Sequence, residues 1–320
     1  MHILGIDIGG TKTSVCLGNE RGEILASGRM SSEKSANFEQ YGRDLAQLCA
    51  SIIERGKVAR TALQAVGISA PGPLDIKRGI LIAPPNNPGW RDVPIVALVK
   101  DILKTPVYIN NDANACALAE YLFGAYRGTA DLVYLTFSTG MGGGIIANGR
   151  LLQGITDTGG EVGHQIIERD GPLCGCGQRG CWEAFVGGRR VAERLREKIR
   201  AGSIKTALLD KAGGNLEAIN MELLAAAARE GDEFAVAEWN EFSERLAQGI
   251  GNLIMILNPQ VVLLGTIAIH LGEFILAPLR EKLRKYAWSW PLAACRVEAS
   301  TLGANIGDYS ALAVALTGMR

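Results

Sequence analysis

The stretch Asp7-Ile8-Gly9-Gly10-Thr11-Lys12 connects two apolar runs, residues 3–8 and 13–17. Each run is typical of a short strand, and the glycine pair between them is typical of a tight turn. The same arrangement recurs where residues 132–137 and 145–147 flank Ser138-Thr139-Gly140-Met141-Gly142-Gly143-Gly144. We call these stretches the first glycine turn (residues 7–12) and the second glycine turn (residues 138–144). Their recurrence indicates an internal duplication.

Strand and helix patterns alternate along the rest of the chain. Short apolar strands are predicted at residues 65–69, 106–109 and 261–264. Longer segments with helical periodicity are predicted at 37–57, 113–126 and 233–257. This alternation predicts an α/β protein, and a length of 320 residues suggests two domains.

The charge balance excludes a general attraction to polyanions. The chain has 33 basic and 33 acidic residues, so it has no bulk affinity for nucleic acid or an anionic membrane. Its longest apolar runs are far shorter than the ~20 residues of a membrane-spanning helix. Asp7 and Lys12 lie where a signal peptide would be apolar. We therefore expect a cytoplasmic protein without nucleic-acid or membrane partners.

The first glycine turn has the residue types of a phosphate site. Its glycines let backbone amides approach phosphate oxygens, Thr11 and Lys12 add donors, and Asp7 offers a carboxylate for a hydrated metal ion. Thr11 lies where a Walker A loop has its lysine, so the stretch is not that motif. Taken alone, it is equally typical of a plain hairpin turn.

The second glycine turn has more glycine than a hairpin needs. Four of the five residues 140–144 are glycines, which is costly in conformational entropy. A second turn that faces phosphate explains this excess. Two such turns in one chain indicate a nucleotide site with two halves.

Asn111-Asp112 follows the strand at 106–109 directly. Ligands of α/β sheets tend to bind at the carboxyl ends of strands, where a carboxylate can act as a general base toward a hydroxyl group. Asn and Asp are also the preferred N-caps of helices. The spacing alone favours the N-cap.

A histidine and three cysteines form a complete set of zinc ligands: His164, Cys174, Cys176 and Cys181. Because four protein ligands leave no open coordination position, the predicted Zn²⁺ is structural rather than catalytic. The alternative is three free cysteines and a surface histidine. Gly175, Gly177 and Gly180 also fit a dinucleotide motif, but no helix opens there, so we exclude it.

The motifs together resemble the ROK family of bacterial sugar kinases and repressors over the whole chain. The segments that carry the resemblance are DIGGTK at 7–12, APGP at 70–73, NNPGW at 86–90, NDAN at 111–114, STGMGGG at 138–144, EVGH at 161–164 and CGCGQRGCWE at 174–183. The resemblance implies an actin/hexokinase/Hsp70-like fold, in which two RNase-H-like α/β domains face a central cleft. It places a smaller domain at 1–115 with 303–320, and a larger domain at 116–302 with the zinc loop and the helices for dimerisation. The implied assembly is a homodimer, with a tetramer as the alternative.

The resemblance also implies roles for the residues around the sugar. Asp112 would be the general base that takes the proton of a sugar hydroxyl. The implied sugar ligands are Gly72, Asn86, Asn111, Asp112, Glu161, His164 and Glu183. His164 would bind the sugar with one ring nitrogen and zinc with the other.

The resemblance assigns both glycine turns to ATP. The phosphates would be held, with Mg²⁺ bridging them, by Asp7, Gly9, Gly10, Thr11, Lys12, Thr139, Gly140 and Gly142. Gly265 would lie on the adenosine side, where the family usually has a second glycine and this chain has Thr266. We expect the β-carbon of Thr266 to crowd the nucleotide. Ser138 also replaces a glycine that is frequent in the family. We expect no loss of phosphate binding from this change, because a hydroxyl can also donate to phosphate.

The expected activity is ATP-dependent phosphorylation of a hexose, with glucose to glucose 6-phosphate as the main hypothesis. The alternatives are a kinase for N-acetylmannosamine, mannose, fructose or allose, and polyphosphate as the donor. A sugar-sensing repressor is a further alternative. Since the first strand begins at Ile3, we expect no DNA-binding helix-turn-helix in front of it.

Overall fold

The computed structural model describes residues 1–32, 37–84, 89–202 and 204–320. The chain divides into two compact units. Unit 1 comprises Met1–Ala130, Gly144–Gly160 and Thr301–Arg320, and unit 2 comprises Asp131–Gly143 and Glu161–Ser300. The domain limits implied by the family resemblance stay a prediction.

Unit 1 is built on a five-stranded sheet. The described residues up to Ala130 contain the strands β1 (His2–Ile8), β2 (Lys12–Asn19), β3 (Ile24–Ser31), β4 (Leu63–Ala70), β5 (Leu74–Asp75), β6 (Ile80–Leu81) and β7 (Val107–Asn111), and the helices α1 (Phe38–Arg55), α2 (Ile95–Leu103) and α3 (Asp112–Phe123). The sheet has the order β3-β2-β1-β4-β7. β1 and β2 form an antiparallel hairpin with Ile8 opposite Thr13, while β4 is parallel to β1 and β7 to β4.

Successive side chains of β1 point to opposite faces of the sheet, and both faces are covered. Leu4 and Ile6 pack in the cluster that contains Tyr41 of α1. Ile3 packs in a second cluster with Leu312. The run of apolar residues at 3–8 is therefore explained by a strand covered on both sides.

A second five-stranded sheet follows. Its strands are β8 (Leu132–Phe137), β9 (Met141–Ala147), β10 (Arg150–Leu151), β11 (Val261–Leu264) and β12 (Arg296–Ala299). The order is β10-β9-β8-β11-β12, with β11 parallel to β8 and β12 parallel to β11. This is the strand order of the first sheet, so the predicted internal duplication is confirmed.

The remaining helices lie after the second hairpin. They are α4 (Trp182–Val186), α5 (Gly188–Arg200), α6 (Ala207–Lys211), α7 (Met221–Arg229), α8 (Glu233–Leu257), α9 (Ile267–Leu271), α10 (Glu273–Lys282), α11 (Ser289–Ala294) and α12 (Ile306–Gly318). α12 belongs to unit 1 and lies directly on its sheet: a β-carbon on Gly67 of β4 would come within 2.0 Å of the Ala311 carbonyl oxygen. α8 begins at the N-cap Asp232, whose side chain accepts from the Ala235 amide, and ends at Asn258 with φ +46°.

Candidate functional site

The junction of β7 and α3 places the predicted general base. Asn111 is the N-cap of α3, and its Oδ1 accepts from the amides of Ala113 at 2.9 Å and Asn114 at 3.3 Å. Asp112 is the first residue of α3 and is partly exposed at the carboxyl end of β7. A β-carbon on Gly72 would lie 3.5 Å from Nδ2 of Asn111. The N-cap interpretation thus holds for Asn111, and three predicted sugar-site residues lie together in unit 1.

The predicted sugar ligand Asn86 lies outside the described residues.

The first glycine turn closes the β1–β2 hairpin. The Gly9 amide donates to the Lys12 carbonyl at 2.9 Å, and both Thr11 and Lys12 are exposed. Asp7, the last but one residue of β1, accepts a hydrogen bond from the Ser69 hydroxyl at 2.7 Å. Burial raises the pKa of Asp7, and the negative charge of Asp308 raises it further. A cation beside Asp7 would offset both effects.

Asp308 is a charged neighbour of this turn that the sequence did not reveal. It lies on α12, buried, and its Oδ1 accepts from the Ser14 hydroxyl of β2 at 3.1 Å. Gly307, the residue before Asp308, lies against Asp7. A β-carbon on Gly307 would come within 2.4 Å of Oδ2 of Asp7. Burial raises the pKa of Asp308 as well. Unit 1 therefore holds two neighbouring carboxylates with raised pKa values.

The second glycine turn is fixed by the start of α5. The amides of Gly188 and Arg189 donate to the carbonyls of Ser138 and Thr139, both at 3.0 Å. Ser138 also donates its own amide to the Gly140 carbonyl at 3.1 Å. Ser138 and Thr139 are exposed, so they remain accessible to a ligand.

The end of β11 lies beside this turn. A β-carbon on Gly265 would come within 2.1 Å of the Tyr134 hydroxyl, so only glycine fits there. Thr266 has φ +46° and ψ −107°, which is a strained conformation for a β-branched residue. Its hydroxyl is bonded to the backbone of Phe137, at the end of β8. The predicted crowding of a nucleotide by Thr266 stays a prediction.

A cavity of about 870 Å³ opens next to the turn within unit 2. That volume suits a nucleotide-sized ligand. Thr139 and Thr266 contribute to its lining. Its apolar lining residues include Ile219, Met221, Ala225, Ala226, Ile267 and Leu271, and its polar ones include Arg189, Arg196, Asn220, Glu222, Arg229 and His270. None of these twelve residues was predictable from a local motif, because they come from α5, α7, α9 and the loop before α7.

The predicted zinc ligands converge. The ligand atoms of His164, Cys174, Cys176 and Cys181 all lie within 4.8 Å of one another. The Cys176 and Cys181 sulfurs are 3.6 Å apart, and the Cys174 sulfur is 3.7 Å from Nδ1 of His164. Ligand atoms at about 2.0–2.3 Å from one tetrahedral Zn²⁺ are roughly 3.5–3.8 Å apart. Donor set and distances therefore fit a structural zinc ion.

The two glutamates of the zinc loop (residues 161–183) each lie next to a residue of this cluster. Glu161 is exposed, and its Oε2 is 4.0 Å from Nε2 of His164. Since Nδ1 of His164 faces the cluster, Nε2 is left to face outward. Glu183 contacts both Cys174 and the second glycine turn. Unit 2 thus brings together Glu161, His164 and Glu183.

Comparisons with known proteins decide the family. The family model described as "ROK family" matches residues 3–317. The chain belongs to the ROK family. A glucokinase of Thermotoga maritima is 34% identical to this ROK protein over 328 aligned residues, which cover 98% of this chain and 97% of that protein.

A solved structure supports the same relationship. The crystal structure of a ROK family glucokinase from Streptomyces griseus, in complex with glucose and AMPPNP, is 32% identical to this ROK protein with a TM-score of 0.82, and covers 99% of this chain and 100% of that one. The expected actin/hexokinase-like fold is therefore confirmed. A xylose repressor of Caldicellulosiruptor bescii is also 30% identical, over 94% of this chain and 74% of the repressor.

Within the described residues, no helix combines the length and the apolar character needed to cross a membrane.

Proposed function

We propose that this ROK protein transfers the γ-phosphoryl group of ATP to the 6-hydroxyl of glucose. The observation that carries the proposal is the junction of β7 and α3. There Asn111 satisfies the first amides of α3 and fixes the backbone, and Asp112 follows it in a partly exposed position. The similarity to glucokinases supports the substrate, and the complex with glucose and AMPPNP supports the pair of ligands.

Asp112 is the proposed general base. Its carboxylate accepts the proton of the 6-hydroxyl as that oxygen forms a bond to the γ-phosphorus. The bond from the γ-phosphorus to the bridging oxygen breaks, and ADP leaves with that oxygen. Positioning and charge neutralisation supply most of what such a transfer requires.

The proposed sugar ligands are those implied by the family. Asn111 and Gly72 lie beside Asp112 in unit 1, and Glu161, His164 and Glu183 lie around the zinc cluster in unit 2. Asn86 completes the proposed set. A zinc ion would hold the loop that carries Glu161 and His164, because it fixes His164 through Nδ1 and leaves Nε2 for a sugar hydroxyl.

ATP is the proposed donor, rather than polyphosphate. The 870 Å³ cavity has mostly apolar walls, including Ile219, Met221 and Leu271, which suit the purine base that ATP has and polyphosphate lacks. The phosphates would lie on both glycine turns. Mg²⁺ would neutralise phosphate charge, and Asp7, at the end of β1 beside the first glycine turn, is the carboxylate proposed to hold its hydration shell.

Phosphorus NMR of a reaction with MgATP and glucose tests this proposal. Signals of ADP and of a phosphate ester at the 6-position are the expected result. Unchanged ATP, or ADP with free phosphate only, contradicts it.

A cytoplasmic location remains a prediction.

A sugar-responsive regulator is the second candidate. It is favoured by the 30% identity to a xylose repressor over 94% of this chain. Its test is binding to duplex DNA of defined sequence that changes with sugar and weakens with salt. We expect sugar phosphorylation and no such binding to DNA.

We also propose that the protein forms a homodimer through an apolar face at the end of α8 and on α11. Trp288 and Trp290 are 75% and 85% exposed, Ile256 is 76% exposed, and the Trp288 amide contacts the Met255 sulfur at 3.3 Å. Residues 287–295 carry no charge. The two indoles alone present on the order of 300–400 Å², close to half of the ~800 Å² that each partner buries in a standard interface.

Light scattering tests this assembly. The wild type is expected to have the mass of a dimer, and the double variant W288S/W290S the mass of a monomer. A monomeric wild type, or a dimeric double variant, contradicts the proposed face.

A further inference from the structure

We infer that Glu183 couples the zinc cluster to the second glycine turn, so that zinc tightens the binding of nucleotide phosphate. The inference rests on the proposed function, in which this turn holds phosphate. It assigns Glu183 a positioning role beyond its proposed contact with sugar.

One carboxylate oxygen of Glu183 holds the turn. Its Oε2 accepts a hydrogen bond from the Met141 amide at 2.9 Å. A β-carbon on Gly140 would come within 2.6 Å of the same oxygen, so the carboxylate lies directly against the turn. Met141 is buried, and the bond is charge-assisted, which makes it one of the stronger kinds of hydrogen bond.

The other carboxylate oxygen reaches the metal cluster. Oε1 of Glu183 lies 3.6 Å from the sulfur of Cys174. Glu183 also follows the ligand Cys181 by two residues, in the first turn of α4. A shift of either cysteine therefore moves the carboxylate that holds Met141.

The zinc loop contacts the turn at a second point. A β-carbon on Gly163, the neighbour of the ligand His164, would come within 2.6 Å of the Met141 carbonyl oxygen. The amide and the carbonyl of Met141 are thus both bordered by residues of the zinc loop.

The residue between Cys181 and Glu183 is anchored to α8. Trp182 is fully buried, and its indole N–H donates to the Arg245 carbonyl of α8 at 2.9 Å. Zinc binding is expected to order the loop before Cys181, because one ion joins four ligands of residues 164–181 and metal binding is coupled to folding. The order is passed to the turn through Glu183. By linkage, nucleotide must tighten zinc binding by the same factor.

Calorimetric titration with MgAMPPNP in the absence of sugar tests this coupling. The dissociation constant is measured for zinc-loaded and zinc-free wild type, and for the same two forms of Glu183→Ala and Glu183→Gln. Zinc content is measured for each preparation. Asp170→Asn is the matched control, because Asp170 lies in the same loop, is exposed and pairs with Arg169.

The wild type is expected to bind MgAMPPNP at least about ten-fold more weakly without zinc, the factor that corresponds to about 1.4 kcal/mol. Zinc-loaded Glu183→Ala is expected to be as weak as zinc-free wild type and to show no further effect of zinc. Glu183→Gln retains an oxygen for the Met141 amide and is expected to restore most of the affinity. Asp170→Asn is expected to bind like the wild type.

An affinity of the wild type that does not depend on zinc overturns the inference, as does a Glu183→Ala variant that keeps the full dependence. If zinc-free protein unfolds, the zinc-loaded variants decide: equal affinities of Glu183→Ala and wild type overturn the coupling, and loss with rescue by Glu183→Gln supports it. Zinc-loaded wild type that does not bind MgAMPPNP at all overturns the proposed use of ATP and the inference with it.

Discussion

The hydroxyl of Thr266 bonds both backbone groups of Phe137: it donates to the carbonyl at 2.5 Å and accepts from the amide at 3.1 Å. This pair of bonds joins the end of β11 to the end of β8, where the second glycine turn begins. Thr266 has φ +46° in the conformation that makes these two bonds. A β-branched residue persists in such a conformation only where its surroundings compensate the strain, and the two bonds are that compensation.

Thr266→Val should therefore destabilise the protein. The variant keeps the strained, β-branched backbone position and leaves the amide and carbonyl of buried Phe137 without the hydroxyl. We expect a loss of about 2 kcal/mol in the free energy of unfolding, measured with urea. Thr266→Ser retains the hydroxyl and should lie within about 0.5 kcal/mol of the wild type. Equal stability of Thr266→Val and wild type would show that the bonds do not matter.

Asp112→Asn should abolish most of the catalysis with little effect on binding. Removal of a general base lowers kcat by about 10²–10⁴-fold. The dissociation constants for glucose and for MgAMPPNP should stay near those of the wild type. Asp101→Asn, at an exposed position of α2, is the matched control and should keep the full rate. Retention of full activity by Asp112→Asn would remove this residue from the mechanism.

Loss of one zinc ligand should remove the metal. Cys176→Ser leaves three ligands of the cluster, so the bound zinc should fall from one ion per chain to well below that, with a lower thermal unfolding temperature. Cys295→Ser, a cysteine outside the cluster, should retain its zinc. Metal analysis measures the bound zinc, and calorimetry measures the thermal unfolding temperature. A Cys176→Ser protein with one tightly bound zinc would contradict the assigned ligand set.

Asp308→Asn should stabilise the protein at neutral pH. Burial raises the pKa of Asp308, so the folded state binds its proton more tightly than the unfolded state. The stability from this group is present at low pH and is lost as pH rises through the folded pKa. The advantage of Asp308→Asn should therefore be largest near pH 7.5 and shrink toward pH 4. Urea unfolding at several pH values measures it, with the exposed Asp210→Asn as control. A stability advantage of Asp308→Asn that grows toward low pH would contradict the raised pKa of Asp308.

Local patterns accounted for much of the fold. β8, α8 and β11 have the bounds expected from the sequence, because each is a dense apolar or periodic segment. The edge strands β3 and β12 escaped prediction, since their exposed and half-buried residues give no clear alternation. α9 was not predictable either, because five residues are too few to show a helical period.

The candidate site was predictable where its residues are close in sequence. The zinc ligands lie within residues 164–181, and the N-cap and proposed base are adjacent at 111 and 112. The partnership of Ser14 with Asp308 and that of Met141 with Glu183 join residues far apart in the chain. Only the fold brings such pairs together. The residues that line the cavity are likewise distant in sequence and are brought together by the fold.

The most direct test of the central claim is a coupled assay of ADP formation with zinc-loaded protein and MgATP. Glucose is compared with mannose, N-acetylmannosamine, N-acetylglucosamine, fructose and allose. The account predicts sugar-dependent turnover that is highest with glucose. Turnover highest with another sugar would contradict the assignment to glucose. ADP formation that does not depend on sugar, or none with any of these sugars, would contradict the assignment as a hexokinase.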